Sequence, residues 1–229
     1  MSDAFYQFVR FVGRPAFWSS SRPTVLHPER LDAPGAMLIA PNHLSPYDVP
    51  CLMASTRQLL DFVSITEIFL NPLSRWFLTG MNAFPLDRAR VDAAATRRIL
   101  DRLERGRKVV MFPEGQIRRP ENSLLAGGTF KPTVPRLAHL AGVPIVPCVI
   151  LGTGAYGRST AWLPRARTRY AVNFGEPITL HADGEPDLAA ANDKMREAYQ
   201  SLYAELTVAS GLTVADTPWR PVAPAPNAA

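Results

Sequence analysis

The sequence predicts a single α/β domain, a mostly parallel central sheet flanked by helices, with an amphipathic helix at its N-terminus. Three observations carry this. From residue 36 onward, short apolar runs alternate with segments of helical period, the pattern of strands joined by covering helices. The chain has 229 residues, which suits one large domain better than two. Hydrophobic residues make up 47%, enough for a substantial core.

The elements follow in order. The first 18 residues, MSDAFYQFVRFVGRPAFW, hold 4 of the 11 phenylalanines. Phe5, Phe8, Val9 and Val12 keep helical spacing, with Gln7, Arg10 and Arg14 between them. Two readings stand side by side. Such a helix suits a membrane interface, rings in the acyl boundary and guanidinium groups at the phosphates. It equally suits packing on its own domain.

AMLIA at 36–40 reads as a buried strand and QLLDFVSI at 58–65 as a second. NAFPLD at 82–87 is a third, weakened by its proline. In the helix VDAAATRRILDRLERG, Val91, Ala95, Ile99 and Leu103 recur every four residues, and Gly106 is placed to end it. KVVMF at 108–112 is a strand, and KPTVPRLAHLAG a helix that starts at Pro132 or later and stops at Gly142. VPIVPCVIL and RTRYAVNFG give two more strands, and residues 186–206 a long helix. The closing TPWRPVAPAPNAA is rich in proline and alanine and is expected to be disordered. The expected organisation is therefore a helix at 1–20, a domain at 21–212 and a tail at 213–229.

A formal charge of +5 and a pI near 9.6 permit phosphate, anionic lipid or nucleic-acid partners without requiring one. No nucleic-acid motif and no stacking aromatics beyond the N-terminus are visible, so no nucleic-acid partner is expected. Cys51 and Cys148 sit among apolar neighbours, as core residues of a protein in a reducing compartment. No apolar run approaches the roughly 20 residues of a spanning helix. No signal-peptide pattern is visible.

The chemistry lies at strand ends. NHLSPYD places His43 and Asp48 directly after the strand AMLIA, at the carboxyl edge where open α/β sheets build sites. Spacing alone decides nothing, because His27 and Asp32 repeat it in a surface-turn context. Ser45 is a good N-cap with Pro46 at the first helical position, so Asp48 reads as the third residue of a capping box. The same turn would let Asp48 meet one imidazole nitrogen, fixing the tautomer and leaving the other nitrogen free to accept a proton. FPEG, again at a strand end, puts Pro113 and Gly115 in a tight turn that would present Glu114 to a ligand. Arg88, Arg118, Arg119 and Lys131 add positive charge, as a phosphorylated substrate would need.

NHLSPYD, NAFPLDR, FPEG and GVPIVPCVI, in that order, resemble the four blocks of the glycerolipid acyltransferase superfamily, which includes the 1-acylglycerol-3-phosphate acyltransferases. The resemblance covers roughly residues 36–180. It implies acyl transfer from a thioester, on coenzyme A or acyl carrier protein, to a lysophosphatidic acid-type hydroxyl in phospholipid synthesis. His43 would be the general base and Asp48 its orienting carboxylate, with no metal or resident cofactor. Arg88, Pro113, Glu114, Gly115 and Lys131 would bind the acceptor, a guanidinium being able to grip phosphate through two parallel hydrogen bonds. The expected setting is peripheral, on the cytoplasmic face of the cell membrane. Two departures stand out. Gln116 and Ile117 follow Gly115 where many members have Thr-Arg, and Asn82 stands where glycine is frequent. The first opens an alternative acceptor, another lysolipid or an aminolipid. A non-catalytic lipid-binding protein of the same fold is the rival from a different class.

Overall fold

A computed structural model of the chain describes residues 3–86, 93–180 and 187–216. Its strands are β1 (Ser21–Leu26), β2 (Met37–Pro41), β3 (Leu60–Ile65), β4 (Ala83–Leu86), β5 (Lys108–Val110), β6 (Ile145–Leu151) and β7 (Thr168–Phe174). Its helices are α1 (Asp3–Ser20), α2 (Asp48–Ala54), α3 (Pro72–Gly80), α4 (Ala93–Glu104), α5 (Thr133–Ala141) and α6 (Leu188–Ser210).

The strands form one sheet in the order β1-β7-β6-β2-β5-β3-β4. The five strands from β6 to β4 run parallel, and β7 turns antiparallel to β6 and carries β1 alongside it. The expected α/β architecture is therefore present. Side chains alternate between two buried layers, as a pleated strand requires. From β2, Leu38 and Ala40 enter one layer with Ile99 of α4, Val134 of α5 and Met195 and Tyr199 of α6. Met37 and Ile39 enter the other, with Cys51 and Leu52 of α2 and with Tyr156. Both cysteines are fully buried, and burial pushes their thiols up.

Two elements escaped the sequence reading. In β1 the apolar period is short and Pro23 interrupts it; the strand forms because it lies at the sheet edge, where a missing N–H costs no ladder bond. Pro85 sits likewise in the opposite edge strand, β4. Helix α3 starts on an Asn71-Pro72 cap, the Asn71 side chain accepting from the N–H groups of Leu73 and Ser74. Other boundaries shift. Regular helix begins at Asp48 rather than Pro46, strand β5 ends at Val110, and α6 runs on to Ser210, where Gly211 at φ 66° closes it. Residues 87–92, 181–186 and 217–229, which include Arg88, Val91, His181 and most of the expected tail, lie outside the described residues.

Helix α1 is fastened by polar contacts as well as by Tyr6, which is fully buried. Asp3 pairs with Arg107, which also grips the buried Asp61 of β3. Arg10 donates to the carbonyls of Thr56, Arg57 and Gln58. The opposite side of α1 exposes Phe8, Phe11, Val12 and Trp18, with Phe11 78% accessible. Phe5 packs edge-on against Trp76 of α3, which joins this surface to the exposed Leu70, Leu73 (73% accessible), Trp76 and Phe77. No helix among the described residues is long and apolar enough to cross a membrane.

Candidate active site

Strand order builds the site. Because β6, β2 and β5 are adjacent and parallel, the loops after their carboxyl ends emerge side by side. The loop after β2 carries His43 and Asp48, that after β5 carries Glu114, and that after β6 carries Thr153. Asn42 locks the first of these to β6, its amide donating to the carbonyl of Ile150 and accepting from the same residue's N–H.

His43 Nδ1 lies 2.9 Å from Asp48 Oδ2. The imidazole is 16% accessible and Asp48 0%. The same Oδ2 accepts from the N–H groups of Leu44 (2.9 Å) and Ser45 (3.0 Å). The bond to Ser45 N–H is the back-bond of a capping box, so Asp48 caps its turn and faces His43 at once. The other half of the box departs from expectation: Ser45 Oγ accepts from Tyr47 N–H, and the turn tightens before the helix starts. Thr153, which sequence reasoning missed, donates 2.5 Å to Asp48 Oδ1. Phe112 stacks on the imidazole with ring centroids 3.9 Å apart, and was missed as well. Nε2 has no hydrogen-bond partner among the described residues, which leaves it available as a base.

The second loop meets the first through its backbone. Glu114, 3% accessible, accepts from His43 N–H at 2.6 Å and from Leu124 N–H at 2.8 Å. Burial pushes its carboxyl up to about 7, against the pull of those two bonds and of His43. Arg118 N–H donates to the His43 carbonyl at 2.8 Å. The Nε of Arg118 is buried with no partner among the described residues. Pro113 is buried, Gly115 is exposed at φ 66°, and Lys131 is exposed with its N–H on the Pro113 carbonyl. Glu114 thus faces inward, where the sequence suggested it would face a ligand.

His27 and Asp32 do not meet. His27 pairs with Glu205 on the surface, and Asp32 accepts from Gln58. A 630 Å³ groove between α1 and α3, lined by Phe5, Leu70, Arg75 and Trp76, lies apart from His43. Among the described residues, no group of three or more His, Cys, Asp or Glu side chains gathers to hold a metal.

A family profile described as Acyltransferase matches residues 22–151, more than half of the chain. The chain belongs to the acyltransferase family. The matched span holds three of the four groups at the site, His43, Asp48 and Glu114, with Thr153 just beyond its end. Relatives within the family include a chloroplastic 1-acyl-sn-glycerol-3-phosphate acyltransferase of Brassica napus, 35% identical over 115 residues, 49% of this chain and 32% of that protein. A 1-acyl-sn-glycerol-3-phosphate acyltransferase of Streptococcus pneumoniae is 27% identical over 159 residues, 69% of this chain and 53% of that protein. The chain thus spans about a third of the plant relative's length and half of the streptococcal one's. The crystal structure of the 1-acyl-sn-glycerophosphate acyltransferase PlsC from Thermotoga maritima superposes with a TM-score of 0.69. It is 23% identical, and the match covers 88% of this chain and 79% of that one, a likeness of fold.

Proposed function

We propose that this acyltransferase-family chain moves a fatty acyl group from an acyl thioester to the hydroxyl of a lysophosphatidic acid-type acceptor, with His43 as general base. The observation that carries the reading is the His43–Asp48 pair: one imidazole nitrogen is held by a buried carboxylate and the other has no partner among the described residues, at the carboxyl edge of the sheet. His43 Nε2 takes the hydroxyl proton as the acceptor oxygen attacks the thioester carbonyl. The C–O bond forms, the C–S bond breaks, and the imidazolium returns the proton to the departing thiolate. The printed names of the relatives support the acceptor class. The thioester carrier is coenzyme A or acyl carrier protein.

Among the described residues, Arg118 is the cation best placed for the acceptor phosphate, since its backbone touches His43 and its Nε has no partner there. Gln116 and Ile117 in the adjoining positions favour a second reading in which the acceptor is another lysolipid or an aminolipid.

The reaction takes place at a membrane surface, on the cytoplasmic face. The apolar ridge of α1 and α3 supports this, because exposed rings and leucines gathered in one area mark an interaction surface. Beside it, Trp18 and the exposed Arg22, Arg165 and Arg167 line a cleft suited to anionic headgroups.

Thiol release from acyl-coenzyme A, with and without lysophosphatidic acid, tests the reading. Release that depends on lysophosphatidic acid and is lost in His43→Ala is expected. Undiminished turnover in that variant sinks the base. Release with other lysolipids alone selects the second acceptor class, and no release with any acceptor, vesicle binding persisting, identifies a lipid-binding protein.

A further inference from the structure

Both polar groups of the His43 main chain are captured by the FPEG loop. Its N–H donates to Glu114 Oε2 at 2.6 Å, and its carbonyl accepts from Arg118 N–H at 2.8 Å. The remaining oxygen of Glu114 accepts from Leu124 N–H, in the 3-10 turn Leu124–Ala126. Each oxygen of the carboxylate therefore holds a backbone donor, and with the residue 3% accessible an acceptor hydroxyl has little access to it. We propose that Glu114 is a positioning residue: its carboxylate clamps the main chain of His43 and so fixes where Nε2 meets the acceptor hydroxyl. This rests on the acyl-transfer reading above and changes the role of Glu114 from acceptor ligand to support of the base.

The geometry explains why a carboxylate stands here. Two backbone N–H groups approach two separate oxygens, so each oxygen must offer a lone pair. Glutamine would oppose one N–H with its own NH₂, and a protonated acid would do so with its O–H. The charge is poorly balanced. His43 and Asp48 face it from the loop after β2, one favouring and one opposing ionisation, and Tyr199 faces it from α6 with its hydroxyl committed to the Ala40 carbonyl. The Leu124 turn brings a backbone N–H and no charge, and Lys131 on the Pro113 side is exposed. With the carboxyl raised to about 7 by burial, protonation releases the clamp within the neutral range. Turnover then needs the Glu114 carboxylate ionised.

Two measurements on the full chain test this. In steady-state thiol release, Glu114→Gln is expected to lower kcat tenfold or more with KM for lysophosphatidic acid changed less than twofold. In the wild type kcat falls on acidification through a midpoint near 7 that the variant lacks. A tenfold rise in KM with kcat intact would make Glu114 an acceptor ligand and overturn the clamp. The second measurement needs neither turnover nor a variant that folds well. Selective ¹⁵N-histidine labelling gives amide signals from His27, His43, His139 and His181. The His43 amide proton, held by a short charge-assisted bond, should lie downfield at pH 8 and move upfield through a midpoint near 7. A His43 amide that does not titrate between pH 8 and 5.5 overturns the clamp. If no acceptor supports thiol release yet this amide titrates, the acyl-transfer reading has failed and the clamp has not.

Discussion

The Thr153 hydroxyl donates 2.5 Å to Oδ1 of Asp48, so the carboxylate facing His43 is tethered from the loop after a second strand, β6. Asp48 then has four donors: Thr153 on one oxygen, and His43 Nδ1, Leu44 N–H and Ser45 N–H on the other. With every contact to it satisfied, the carboxylate has one orientation, and the imidazole follows it. Thr153→Val keeps the shape and removes one bond to a buried charge. It is expected to cost about 1.5–3 kcal/mol in urea unfolding. Asp48→Asn, which turns an NH₂ toward donors, is expected to lower kcat by about 10²–10⁴, and Thr153→Val by less. Equal loss of kcat in the two variants would mean that the Thr153 tether, not the carboxylate charge, orients the base.

Arg118 makes a separate prediction. Its Nε is buried without a partner among the described residues, and its N–H holds the His43 carbonyl, so the guanidinium belongs to the loop that meets the base and has a donor to spare. Charge-assisted bonds of the kind it would make to phosphate contribute about 1.5–3 kcal/mol. Arg118→Gln should therefore raise KM for lysophosphatidic acid tenfold or more, with kcat nearly unchanged. A lysolipid without the terminal phosphate should not feel the change. If KM for both acceptors rises alike, Arg118 holds the loop rather than the phosphate.

These two residues show where sequence reading stops. His43, Ser45 and Asp48 belong to one turn, and their geometry follows from a cap and a proline within six residues. Thr153 lies 105 residues from Asp48, and only the adjacency of β6 and β2 brings them together. Glu114 was legible as a special residue but not in direction, because a tight Pro-Glu-Gly turn has the same sequence whether its carboxylate points inward or outward. The alternating strands and covering helices were legible because burial on both faces leaves continuous apolar runs. Strand β1 and helix α3 were not. Edge placement excuses the proline in β1, and α3 shows its apolar residues to the outside, contrary to what helical period ordinarily implies.

Asn82 gives the departure from the frequent glycine a physical reason. It takes φ 59°, the left-handed region that glycine enters freely and asparagine tolerates. Its amide also donates 2.8 Å to Asp3, tying the start of α1 to β4. Asn82→Gly should keep the backbone and lose that tie, for a small loss. Asn82→Ala should lose both, the backbone alone costing about 1–2 kcal/mol. The shift in urea midpoint at constant slope reads the difference, and an alanine variant as stable as the glycine one would remove the strain argument.

The apolar ridge predicts a binding defect without a folding defect. Phe8, Phe11, Leu73 and Trp76 are exposed, so replacing all four with serine removes little packing. Each would contribute about 1.5–3 kcal/mol if fully withdrawn from water into lipid. Sedimentation with vesicles containing phosphatidylglycerol should fall at least tenfold in the fourfold variant, with its unfolding midpoint unchanged. Undiminished sedimentation would move the membrane contact elsewhere.

Glu114 should make activity and stability run in opposite directions with pH. Its folded carboxyl titrates at about 7, against an ordinary value of 4.5, because burial disfavours the charge. The sign follows from proton binding. Between those values the folded chain binds the proton and the unfolded chain does not, so stability from this group rises as pH falls. Above pH 7 both states are ionised, and the full cost of burying the charge is present. That cost, on the order of 3 kcal/mol, is relieved as pH drops toward 4.5. Unfolding of the wild type and Glu114→Gln in urea at pH 8, 7, 6 and 5 isolates it, since other groups cancel in the difference. The wild type should gain on the variant toward low pH, while its turnover falls over the same interval. A difference independent of pH would mean that the folded carboxyl titrates normally. A wild type that loses stability relative to the variant on acidification would mean that the two backbone bonds outweigh burial.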